Sequence, residues 1–139
     1  MSLHQQYIDD KTAHPALKYM FDLGDGYTGR CSRGPYGAWN GYVEVPDNHW
    51  ATHKEWDEFE DSPIEITFAR NRTIGFDHCH SEDYQPQSPD ILLPYPYPHY
   101  TTYEEVVKEI ETLAKYLKYS DGFESDCELV EGLAVLENE

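Results

Sequence analysis

The residues best suited to chemistry crowd into one short run, Asp77-His78-Cys79-His80-Ser81-Glu82-Asp83. In an extended backbone, side chains two apart point the same way, so a strand continued to His80 would project His78 and His80 together. Two imidazoles beside a carboxylate suit a divalent ion such as Zn, which can activate water to hydrolyse a nucleotide or phosphoester. The ligands of such a hydrolase would be His80, Asp77 and Asp83, joined by His78 and by His49 from an earlier segment. A structural reading competes with it. Asp77 alternates away from His78 and would cap the following turn, while His80 would hydrogen-bond Asp77 or Asp83 to fix the loop. Cys79 lies near two histidines, which lower a thiol's pKa when charged, but no third group completes a triad and a buried, inert thiol is expected. No residue is therefore assigned as catalytic.

The elements that must position this run are legible from periodicity. Ile64, Ile66 and Phe68 alternate with Glu65, Thr67 and Ala69; Arg70-Asn71-Arg72 then turns the chain, and Thr73-Ile74-Gly75-Phe76-Asp77 returns it. Alternation on both sides of a three-residue connection predicts an antiparallel hairpin over 64–77, burying Ile64, Ile66, Phe68, Ile74 and Phe76. A strand over Tyr42 to Val45 ends at Pro46, with Val43 and Val45 on one face, and 27–33 supplies a further short strand. Leu17 to Phe21 reads as weakly helical, ended by Gly24 and Gly26. Thr102 and Glu105 form a capping box, and Val106, Ile110, Leu113 and Leu117 recur at helical spacing, so an amphipathic helix is predicted over 102–118. The expected fold class is α+β, a small antiparallel sheet packed against that helix, in one domain over 1–118 with an acidic extension over 119–139.

Charge supplies the second functional signal. The 139 residues hold 10 Lys+Arg against 27 Asp+Glu, a net charge of −17. That balance argues against direct binding of nucleic acid or an anionic membrane, because phosphate contacts depend on cations. Hydrophobic residues are 39% of the chain, but 12 Tyr help bring aromatics to 14%, so a packed core is feasible. No apolar run is long enough to span a bilayer, and no basic-then-apolar leader is visible. The 3 Cys form no CxxC pair, which fits reduced thiols in a cytoplasm. Glu55, Asp57, Glu58, Glu60 and Asp61 cluster around Trp56, and Trp50 and Trp56 are expected to fold this segment back onto the sheet.

Residues 84–100 interleave Pro86, Pro89, Pro94, Pro96 and Pro98 with Tyr84, Tyr95, Tyr97 and Tyr100, predicting an extended tyrosine-covered loop. The five acids around Trp56 and these four tyrosines form an expected docking face for a protein with a basic surface. This reading needs no cofactor. Capture of a small signalling nucleotide is a third expectation, conditional on Arg30, Arg33, Arg70 and Arg72 converging; no GxxxxGK[ST] loop is present.

Two segments, Gly41-Tyr42-Val43-Glu44-Val45-Pro46-Asp47-Asn48-His49 and Gly75-Phe76-Asp77-His78-Cys79-His80-Ser81-Glu82-Asp83, resemble the GYVxVPxxH and GFDxxHxxD motifs of small, mostly uncharacterised phage and prophage proteins. The glycine-rich stretch from Gly26 to Gly37 and the helix over 102–118 fall in the same order, so the resemblance spans roughly residues 26 to 118. It implies a phage setting and the cytoplasm of an infected cell, and brings no established chemistry. Combined with the charge, it leads to the expectation of an accessory or counter-defence protein that binds and inhibits a host immune or nucleic-acid-handling protein.

Overall fold

The structure is a computed structural model and describes residues 2–79, 83–86 and 99–120. The elements run α1 (Leu3–Ala13), β1 (Lys18–Gly24), β2 (Tyr27–Arg33), β3 (Trp39–Glu44), short 3-10 turns at Trp50–His53 and Trp56–Glu58, β4 (Phe68–Arg70), β5 (Thr73–Phe76) and α2 (Tyr103–Tyr119). The strands form one antiparallel sheet in the order β1-β2-β3-β5-β4. This is the expected α+β architecture.

α2 forms where the periodicity places it. The Thr102 side chain accepts the Glu105 amide while Glu105 reaches back to the Thr102 amide, closing the capping box. Its apolar stripe of Val106, Ile110, Leu113, Ala114 and Leu117 is buried against Trp39, Val43, Ile74 and Phe76. Gly41 permits this contact, because a Cβ there would collide with Phe76 and come within 2.9 Å of Ile110.

Three local expectations are corrected. Leu17 to Phe21 is not helical: β1 alternates, with Tyr19, Phe21 and Leu23 packed on the core and Lys18 and Met20 exposed. A period of two decides that segment once Gly24-Asp25-Gly26, all at positive φ, folds it onto β2. The N-terminal helix lies earlier, at α1, where Ser2 caps it by accepting the Gln5 amide. The 64–77 hairpin is narrower than predicted. Ile66 and Ala69 face the core, so the alternation slips between them and Phe68 turns to the other face, where it is 39% exposed. Trp50 folds back as expected, onto Phe59 and Tyr116, while Trp56 stays 53% exposed.

α1 and α2 both lie on the inner face of the sheet. Among the described residues, no helix covers the outer face, and no helix is long and apolar enough to cross a membrane.

Candidate functional site

β5 ends at Phe76 and delivers Asp77 and His78 to a cavity of about 570 Å³ between the sheet and the first half of α2. Its lining includes Glu65, Asp77, His78, Asp83, His99, Thr101, Glu105 and Glu109. His78 and Asp83 lie side by side, as a charged pair rather than as two ligands facing one point. The imidazole is bridged: Nε2 donates to Glu109 at 2.7 Å, and Nδ1 lies 3.5 Å from Asp83 and 3.4 Å from the Thr101 hydroxyl. Burial alone would lower the pKa of His78. The hydrogen bonds and charges of Asp83 and Glu109 outweigh burial and raise it to about 9. Near neutrality this residue is an imidazolium with both nitrogens engaged, which suits an electrostatic clasp between the end of β5 and α2.

Asp77 turns to local work. Its Oδ2 accepts from the Thr67 hydroxyl at 3.1 Å and its Oδ1 from the Cys79 amide at 3.2 Å, the capping role foreseen for it. Cys79 is exposed rather than buried as expected, because the strand has ended before it; partial desolvation, with Asp77 and Asp83 beside it, still pushes its thiol pKa up and keeps it protonated near neutrality. His80 lies outside the described residues.

His49 stands elsewhere. Its Nε2 donates to the Leu117 carbonyl at 2.8 Å and its Nδ1 accepts the Ala51 amide at 3.0 Å, with Tyr27 edge-on at 5.7 Å. One ring thus caps both the end of α2 and the start of a 3-10 turn. Burial lowers its pKa despite the carbonyl partner, so the neutral Nε2–H tautomer is favoured. Leu117 and Glu109 are eight residues apart on α2, about 12 Å along its axis. His49 and His78 are fixed at separate points of that helix.

The acidic turn is open to solvent. Glu55, Asp57, Glu58, Glu60 and Asp61 are all exposed around Trp56, and buried Phe59 anchors them. None of the five has a cationic partner within ion-pair distance among the described residues. The tyrosines divide. Tyr95 and Tyr97 lie outside the described residues, Tyr84 is half-buried against Tyr100 and His4, and Tyr100 is 1% exposed, which removes it from any docking face. Phe59 connects through Trp50 to Tyr116 near the end of α2, whereas Tyr100 precedes its start. The acidic turn and the Tyr84–Tyr100 pair therefore sit toward opposite ends of a helix about 25 Å long, rather than on one face.

Tyr100 is buried because it belongs to a knot that sequence reasoning missed. Asp10 Oδ2 accepts from Tyr100 Oη at 2.6 Å, Trp39 Nε1 at 2.9 Å and Arg33 at 3.2 Å, and its Oδ1 accepts the Tyr103 amide at 3.0 Å. Arg33 also lies 3.9 Å from the Trp39 ring centroid. The side chains of Asp10 and Arg33 are each only 4% exposed. Nothing local in the sequence pairs positions so far apart; the only hint was that Arg33 continues the inward parity of Gly29 and Cys31. Asp10, His14 and Glu104 also bring ligand-type atoms within 4.8 Å of one another. The four donors on Asp10, and the stacking of His14 on Tyr103 at 3.9 Å, make that group a fastening between α1 and α2.

No family model, curated protein or solved structure matches the chain.

Proposed function

We propose that this chain is a non-enzymatic binding protein that docks a basic surface on another protein through the turn at 55–61, with Trp56 as its apolar grip. The phage-type motifs make a host immune or nucleic-acid-handling protein the target class, and inhibition by occupying its basic groove the mode. The supporting observation is the set of five exposed carboxylates without cationic partners around a half-exposed Trp56. An exposed indole ringed by like charge costs solvation and repulsion in the free protein, and both are relieved when a cationic surface covers it. The test compares immobilised wild-type chain with a Glu55→Gln/Asp57→Asn/Glu60→Gln/Asp61→Asn variant and with Trp56→Ala in a host lysate. A basic protein held by the wild type, released by salt and lost from both variants is the expected result. Equal retention by all three chains would remove the reading.

The rival reading, a metal-dependent hydrolase, draws on the meeting of Asp77, His78 and Asp83 at the 570 Å³ cavity. A metal would have to displace the protons that hold His78 to Glu109 and Asp83, and His49 serves a different end of α2. Adding Zn at pH 7 should leave the melting temperature unchanged; a saturable rise would favour the hydrolase.

A further inference from the structure

The outer face of the sheet carries a row of side chains in strict register. Met20 pairs with Arg30, Arg30 with Tyr42, Tyr42 with Gly75, and Gly75 with Phe68, so one line crosses all five strands. Directly opposed residues on neighbouring strands share a face, and these are the positions the core does not use. Gly75 is the gap in the row. A Cβ there would collide with the Tyr42 ring, so the glycine lets that ring lie down over β5. Arg30 then sits 4.3 Å from the Tyr42 centroid, and Phe68 meets the same ring edge-on at 5.8 Å.

Beside this aromatic row is a cleft of about 350 Å³, lined by Arg30, Phe68, Arg70, Asn71, Arg72 and Thr73 together with Glu44. Three of the four arginines named from the sequence thus converge, and Arg33 is excluded by its buried pairing with Asp10. Arg72 is partly satisfied, donating to the Val45 carbonyl at 2.8 Å and lying 3.7 Å from Glu44 and 3.5 Å from Asp47. Arg30 and Arg70 have no carboxylate within ion-pair distance among the described residues, in a chain with 27 acids for 10 Lys and Arg. Two guanidinium groups left without acids at one cleft are a stored demand for an anion.

We propose that this cleft binds a free nucleoside monophosphate, with its base against Phe68, which the Tyr42 ring supports from behind, and its phosphate between Arg30 and Arg70. Inorganic phosphate or a sugar phosphate would use the arginines but leave the aromatic wall idle; a nucleoside would do the reverse. A mononucleotide uses both, and the Asn71 and Thr73 side chains offer hydrogen bonds at the same cleft. The net charge of −17 favours a small anion over a strand, because each added phosphate meets more of the surrounding carboxylates.

Calorimetric titration of the intact chain with adenosine, guanosine, cytidine and uridine monophosphates tests this, alongside adenosine, inorganic phosphate and a pentadeoxynucleotide. At least one monophosphate should bind with a Kd of about 0.1 mM or tighter. Arg70→Ala and Phe68→Ala should each weaken it about tenfold, with melting temperatures held near wild type because both residues are exposed. The nucleoside and inorganic phosphate should each bind at least about tenfold more weakly. No heat from any monophosphate at about 5 mM, or affinity unaltered by both substitutions, would overturn the proposal. Tighter binding of the pentanucleotide than of every mononucleotide would overturn it in favour of a single strand.

Discussion

Removing the His78 imidazole tests the electrostatic clasp most directly. His78 is 15% exposed and holds Glu109 at 2.7 Å. Its pKa of about 9 lies above the ordinary 6.5 because Asp83 and Glu109 outweigh the cost of burying the charge. A rise of that size corresponds to about 3 kcal/mol of folding free energy at 1.36 kcal/mol per unit. Its pH dependence has a fixed sign. Between about 6.5 and 9 the folded chain keeps a proton that the unfolded chain releases, so the stabilisation is complete below 6.5 and is lost as pH rises through 9. Urea unfolding of wild type and His78→Gln at pH 6.5, 7.5, 8.5 and 9.5 reads the difference. The wild-type advantage should shrink steadily across this range, and the imidazole signals followed by NMR should place the His78 midpoint near 9. A midpoint below about 7 would refute the reasoning, and would return to His78 the neutral ring that a metal or a general base requires.

Other expectations follow from the same geometry. Asp10→Ala strips four donors of their acceptor and leaves Arg33 buried and unpaired, which should cost about 3–5 kcal/mol by urea unfolding. Adding Arg33→Met to that variant should recover part of the loss, giving a double variant less destabilised than the two single effects summed. Thr102→Ala removes the α2 cap and should cost about 1 kcal/mol by the same measurement. Gly75→Ala drives a methyl group into the Tyr42 ring, and should destabilise the fold by about 1–3 kcal/mol while weakening any mononucleotide affinity.

How much of this was legible depended on whether the signal was local. α2 was fully readable because its cap lies within four residues and its burial repeats every turn. β2 was readable from its flanking turns, and β3 from alternation but too short, as 42–45 where it runs Trp39–Glu44. α1 was not: it buries only Tyr7 and Asp10, so no apolar stripe announces it. β1 was obscured by the short span of Leu17 to Phe21, which fits either period until the turn after it is counted. Phe68 was misplaced because alternation was carried through a slip between Ile66 and Ala69 that no residue type marks. At the candidate site, the sequence grouped His78 with Asp83 only as ligands of one metal, and could not supply Glu109, which arrives from α2. His49 was drawn toward the same cluster by chemistry alone, whereas its place is set by the α2 carbonyl it caps. Tyr100 was assigned to the surface by its proline-rich surroundings, and only the distant Asp10 explains its burial.

The Asp10 knot also dictates an order of assembly. It ties α1 to Tyr100 and Tyr103, partners 90 and 93 positions downstream. A chain emerging from the ribosome therefore makes α1 long before the groups that hold it exist. α1 has no apolar face to keep it helical meanwhile, so it must wait as a loose leader while the meander of β1, β2 and β3 forms behind it. A helix made well before its partners becomes the last to settle, and a nascent chain halted before Tyr100 should expose α1 to proteases that the folded chain resists.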